Sequence, residues 1–125
     1  MTIYRRIETS EVRGVTVVNF VERKILDAAQ IQELGEELLH LVDHDGNKDV
    51  LLDFDKVEFL SSAALNKLII LDKKIKAKSG QLRFCNLMPE IREVFVITRL
   101  NQLFEIVDTR EKALETIRRA APAAS

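Results

Sequence analysis

The chain of 125 residues has no tryptophan, one tyrosine, one cysteine, two histidines, two prolines and four glycines. Each shortage excludes something. A lone Cys85 cannot close an intrachain disulfide or supply a Cys-rich zinc cage, and it fits a reducing, cytoplasmic setting. Four isolated glycines form neither Gly-x-x-x-x-Gly-Lys-Ser/Thr nor Gly-x-Gly-x-x-Gly, so the two commonest phosphate cradles are missing. Charge of one sign is missing too. With 19 Lys and Arg against 20 Asp and Glu, the formal net charge is -1, which leaves no global basic field for a nucleic-acid backbone or an anionic membrane. No run approaches the ~20 apolar residues of a membrane span, and the opening Met-Thr-Ile-Tyr-Arg-Arg lacks the apolar centre of a signal peptide. Neither direct nucleic-acid contact nor a membrane span is expected.

What is present is an ordinary globular composition, 46% hydrophobic and 31% charged, with a core that must be aliphatic apart from six phenylalanines. The length suits one domain. Residues 1–119 are expected to form it, with 120–125 as a frayed tail. Turn signals stand at Arg13-Gly14, Asp43 to Lys48 around Gly46, Ser79-Gly80 and Pro89. Between them, Tyr4 to Thr9 and Val15 to Phe20 read as a hairpin, and Val50 to Phe54 as a central strand covered by helices. A loop follows over Asp55 to Leu60. Leu82 to Leu87 and Phe104 to Val107 supply two more strands. Helical spacing appears at Ile31, Leu34, Leu38, Leu41 and Val42, with Asp27 as N-cap, and at Ala64, Leu68, Leu71 and Ile75 behind Ser61-Ser62. A third helix starts near Pro89 with Ile91, Val94 and Phe95 inward, and a fourth runs over Arg110 to Arg119 with Ala113, Leu114 and Ile117 inward. The order β-β-α-β-α-β-α-β-α predicts an α/β domain, with a mixed β-sheet of about four to five strands and about four α-helices.

Chemistry is thin in this inventory. His40 and His44 stand four residues apart, but no Cys or further His completes a metal site, so a solvated final helical turn is expected. Asp53, Asp55 and Glu58 mimic a hard-cation cluster, yet Asp53 is embedded in a strand and the others suit a surface loop. Lys67, Lys73, Lys74 and Lys76 lie largely off their helix's apolar stripe and read as a solvated face in preference to an anion patch. Cys85, inside a strand, reads as an inert packed thiol. No catalytic residues, cofactor or metal are expected.

The informative stretch runs from Asp53 to Leu65: a strand, a short loop, then Ser61 and Ser62 at a helix start. By local chemistry alone, either serine serves as the N-cap. The segment also resembles the signature of the STAS domain of bacterial anti-sigma factor antagonists, in which a strand ends in Asp and an aromatic-apolar pair leads into Asp-Ser-Ser/Thr-Gly-Leu. Phe59-Leu60 matches that pair, Ser61 the Asp, Ser62 the phosphoacceptor serine, Ala63 the next hydroxyl residue, Ala64 the Gly and Leu65 the Leu. Leu26-Asp27 resembles the family's Leu-Asp before its first helix. Ser79 to Leu87 resembles its Gly-bounded strand, and Pro89, Val94-Phe95 and Thr98 to Phe104 its third helix and following turn. The chain departs from the pattern where Ser61 replaces the acid, Ala64 the Gly, and Lys24 a Gly ahead of Leu26-Asp27.

The resemblance implies an anti-sigma factor antagonist that docks on an anti-sigma factor and frees the sigma factor. The partner is often itself a serine kinase with its own ATP, and phosphorylation at Ser62, with Ser61 in reserve, ends the contact. Partner contact is expected at Asp27, Ser61, Ser62, Ala63 and Asn66, from a chain that is monomeric when free. The alternative under the same resemblance is a scaffold, or a subunit of a lipid-transport complex, without phosphorylation. A small enzyme or nucleotide-binding protein ranks below both.

Overall fold

The computed structural model describes residues 4–44 and 48–120. Five strands form one sheet in the order β1-β2-β4-β6-β7: β1 (Ile7–Val12), β2 (Val15–Phe20), β4 (Asp49–Asp53), β6 (Gln81–Cys85) and β7 (Glu105–Val107). The β1–β2 hairpin is antiparallel and turns through Arg13 and Gly14, which take φ of 54° and 83°. Every other pairing in this sheet is parallel. Helices make the crossovers that parallel strands require: α1 (Ala28–Asp43), α2 (Ser62–Ala77) and α3 (Pro89–Ile97), while α4 (Arg110–Ala120) closes the chain.

The central strands are buried on both faces, and their side chains alternate between two clusters. Val18, Val50, Leu52 and Phe84 point into the larger one with α1, α2 and α3. Val15, Val17, Leu51 and Cys85 point the other way, against Ala113, Leu114 and Ile117 of α4. That α/β architecture agrees with the expected mixed sheet and four helices. Five of the six phenylalanines, all but Phe59, are packed together in the larger cluster: the rings of Phe54 and Phe84 stack at 5.5 Å and those of Phe84 and Phe104 at 4.6 Å.

Several boundaries differ from the sequence reading. The first strand lies at Ile7–Val12 rather than Tyr4 to Thr9, because the tight turn at Arg13-Gly14 fixes the hairpin register and Val12 must face Val15. The backbone before it is held instead by Glu37 of α1, which accepts from the amides of Arg5 and Arg6 at 3.0 and 2.8 Å. The expected loop over Asp55 to Leu60 ends in a strand, β5 (Phe59–Leu60), which pairs in parallel with β3 (Lys24–Ile25) as a separate small sheet. Two residues are too short to show periodicity, so only the pairing reveals them. A 3-10 turn at Leu100–Gln102 precedes β7. Ser79 and Gly80 end α2 as expected, Ser79 with φ 59°. Gly80 is needed for closeness rather than φ, since a Cβ there would lie 2.0 Å from the carbonyl oxygen of Lys48. Gly46 and the tail beyond residue 120 lie outside the described residues.

Candidate functional site

The parallel strands β2, β4, β6 and β7 all end on one edge of the sheet, and each following helix begins there. Helix N-termini carry partial positive charge and free N–H groups, so their caps decide what this edge can hold. At α1, Asp27 accepts from the Gln30 amide at 3.0 Å, and Gln30 Oε1 accepts from the Asp27 amide at 3.4 Å, a complete capping box. Asp27 itself is exposed.

The small sheet places the start of α2 beside it. The amides of Glu58 and Phe59 donate to the Arg23 carbonyl, and the Ser61 amide donates to the Ile25 carbonyl at 3.1 Å. Ile25 and Leu60 face inward as Lys24 and Phe59 face outward. The Lys24 ammonium sits 5.5 Å above the Phe59 ring. Lys24 thus fills a place where the family pattern often has Gly, and it uses a cation–π contact to do so. Leu26 and Phe59 stay about half exposed, at 53% and 50%.

The alternative left open by local chemistry is resolved by geometry. Ser61 is the N-cap: its backbone is extended and its Oγ accepts from the Ala64 amide at 3.3 Å. Ser62 is the first helical residue, and it is exposed. Among the described residues nothing hydrogen-bonds to its side chain. Ala63 and Asn66 are exposed on the same opening turns, while Ala64 is buried against the core. Replacing the family's Gly with Ala64 costs no strain, since positive φ among the described residues occurs only at Arg13, Gly14, Ser79, Asn86 and Arg99. Asp27, Ser61, Ser62, Ala63 and Asn66 therefore come together at two adjacent helix starts.

The acidic trio does not come together. Glu58 pairs with Arg23 at 2.8 Å, and Asp55 accepts from Asn19 at 3.3 Å. Asp53 is buried, 2% exposed, and its carboxylate is fully engaged: Oδ1 accepts from the Asp55 amide and from Asn86, and Oδ2 from Nε and Nη2 of Arg110. Arg110 also donates to Asn19 at 3.1 Å. Asn19, Asn86 and Arg110 were not legible as a group, since they lie far apart in sequence. The available signal was Asp53 itself, a charge at the end of an apolar strand that must find partners when buried. His40 and His44 stack at 4.3 Å, and Tyr4 Oη lies 3.3 Å from His40 Nδ1. Among the described residues no group of three His, Cys, Asp or Glu could hold a metal.

The lysines of α2 are mostly occupied. Lys67 donates to Gln32 of α1, Lys74 pairs with Asp43 and Lys76 with Asp72. The Cys85 thiol is fully buried, and burial, with the nearby Asp53 charge adding to it, pushes its pKa up to about 12. It is a packed thiol, as expected from its strand position. No helix of the described residues is long and apolar enough to cross a membrane.

The STAS domain family model matches residues 6–113, which spans every strand and helix start described above. The chain belongs to the STAS domain family. BtrV of Bordetella bronchiseptica, whose name assigns it to the anti-sigma factor antagonists, is 32% identical over 98 residues, covering 78% of this chain and 84% of its own. An anti-sigma-factor antagonist (STAS) domain protein from Planctomyces limnophilus superposes with TM-score 0.79 at 25% identity, over 90% of this chain and 97% of its own. The phosphorylated form of the Bacillus cell fate determinant SpoIIAA shares the fold, with TM-score 0.67 at 17% identity over 90% of this chain and 99% of its own.

Proposed function

We propose that this STAS domain is a cytoplasmic anti-sigma factor antagonist that binds an anti-sigma factor while Ser62 is unmodified and is released when Ser62 is phosphorylated. The observation that carries the reading is the division of labour between the two serines. Ser61 is held by the cap and partly buried, whereas Ser62 presents an exposed hydroxyl at the first position of α2. A kinase can reach one without uncapping the helix.

The physical consequence of modification follows from that position. A phosphate on Ser62 adds ~1.5–2 negative charges at a helix N-terminus, where the dipole and free N–H groups favour an anion. The domain tolerates it. A partner surface shaped to a neutral hydroxyl beside Asp27, Ala63 and Asn66 meets instead a bulky, solvated dianion next to an existing carboxylate. A differential affinity of a few kcal/mol suffices to empty the complex. In this reading the chain is a monomeric substrate, and the enzyme is the partner, an anti-sigma factor acting as a serine kinase with its own ATP. That SpoIIAA is known in a phosphorylated form supports it.

The test compares wild type, Ser62→Ala and Ser62→Asp in binding to an anti-sigma factor captured from native cells, alongside phosphopeptide mapping after incubation with that partner and ATP. Ser62→Ala is expected to bind constitutively and to lose the phosphopeptide, and Ser62→Asp to bind at least tenfold more weakly while remaining folded. Tight binding by folded Ser62→Asp, or phosphate at Ser61 alone, overturns the assignment.

A further inference from the structure

We infer that Asp53, gripped by Arg110, is a positioning residue for Ser62, an assignment that rests on the phosphoacceptor reading above. The carboxylate of Asp53 accepts four hydrogen bonds, which fills its capacity: Asp55 N at 3.1 Å and Asn86 Nδ2 at 3.0 Å on one oxygen, Arg110 Nε at 3.0 Å and Nη2 at 2.8 Å on the other. These donors come from the loop that leads to Ser62, from the residue after β6, and from the first residue of α4 on the opposite face of the sheet. The hydrophobic clusters join these elements only in pairs, the loop with β6 through Phe54, Val57 and Phe84 and β6 with α4 through Cys85, whereas one buried charge ties all three together.

The tie bears on Ser62 because the intervening backbone is short and held at most of its residues. Asp55 is held at its amide by Asp53 and at its carboxylate by Asn19, which also accepts from Arg110. Next, the Val57 amide donates to the Phe54 carbonyl at 3.0 Å, and both side chains are fully buried. The segment then runs through β5 on the β3 edge directly into Ser61 and Ser62. With both ends pinned, a shift at Asp55 has few backbone torsions, chiefly those at Lys56, in which to dissipate before the helix start. A packed aliphatic residue at position 53 would fill the space but offer no acceptor to the Asp55 amide, to Asn86 or to Arg110, which bury poorly without one. Directional hydrogen bonds fix the loop's exit angle, which apolar packing leaves loose.

The experiment uses the full chain in wild-type, Asp53→Asn, Arg110→Lys and Leu114→Ala forms. Leu114→Ala removes packing between α4 and the sheet without touching the polar network, so it controls for lost stability. The first readout is NMR amide exchange over residues 55–62, at temperatures chosen to match global stability. Exchange is expected to be at least tenfold faster in Asp53→Asn than in Leu114→Ala, with Arg110→Lys, which keeps the charge but loses the fork, in between. The second readout is phosphorylation by the cognate anti-sigma factor kinase with ATP, where kcat is expected to fall at least tenfold for Asp53→Asn with KM within twofold of wild type. Equal exchange in Asp53→Asn and Leu114→Ala overturns the inference, as does an unchanged kcat at Ser62. If Asp53→Asn does not fold, Arg110→Lys against Leu114→Ala decides the same comparison. If the kinase leaves wild-type Ser62 unmodified, the phosphoacceptor reading fails, and amide exchange alone decides whether Asp53 orders the helix start.

Discussion

The Ser61 amide donates to the Ile25 carbonyl at 3.1 Å, and that bond sets the start of α2 beside the start of α1. Two capped N-termini thereby share one surface, Asp27 on one and Ser61-Ser62 on the other. An anion added to this surface would meet two helix dipoles and one carboxylate.

The serines should separate by stability. Ser61→Ala removes the Oγ that accepts from the Ala64 amide, and loss of an N-cap costs ~1 kcal/mol. Ser62→Ala, at an exposed first-turn position, should stay within ~0.5 kcal/mol of wild type. Urea denaturation of both variants checks this, and a larger loss in Ser62→Ala would show a structural bond at that hydroxyl.

Asp27 has a cap to keep and a charge to offer. Asn is as good an N-cap as Asp, so Asp27→Asn should lose no more than the ~0.3–1 kcal/mol of charge–dipole interaction, whereas Asp27→Ala should lose ~1 kcal/mol or more. Affinity for the anti-sigma factor is expected to fall about tenfold in Asp27→Asn. Unchanged affinity by calorimetry would assign Asp27 to capping alone.

Gly80 is expected to reject any side chain. A Cβ 2.0 Å from the Lys48 carbonyl oxygen forces the β4 and β6 starts apart, where the Gln81 amide donates to that same oxygen at 3.0 Å. Gly80→Ala should cost ~2 kcal/mol or more, beyond the ordinary range for surface changes. A thermal midpoint within a degree or two of wild type would contradict the packing there.

Cys85 makes alkaline stability depend on one proton. Its folded pKa is raised to about 12, above the ~8.5 of an exposed thiol. The folded state therefore holds a proton that the unfolded state releases, and the thiol's contribution falls as pH rises through that window. Urea midpoints at pH 8 and pH 10.5 should drop more in wild type than in Cys85→Ala. Alkylation of the native chain at pH 8 should be negligible until it unfolds.

Much of this molecule was legible because its elements are long or sharply punctuated. The 3.6-residue stripes of α1 and α2, the apolar run of β4, Pro89 at the start of α3 and Ser79-Gly80 after α2 each state a local preference that packing then obeys. The site residues could be proposed because a strand, a short loop and a hydroxyl pair follow one another in sequence. What failed was the hairpin's first strand, where β-rich character at Tyr4 lost to the register imposed by the Arg13-Gly14 turn. The two-residue strands β3 and β5 were invisible for a different reason, being defined by each other and by no pattern of their own.

The sequence by itself determined the alternation of elements, the two-sided burial of the central strands and the presence of a capped serine pair, because periodicity and capping act over a few residues. Only the tertiary structure decided which serine caps, that Asp27 stands beside it, and that Asp53 is bound by Asn86 and Arg110. The last two facts depend on hydrogen bonds between residues distant in the chain. Their direction and distance follow from the parallel sheet order, which no local preference encodes.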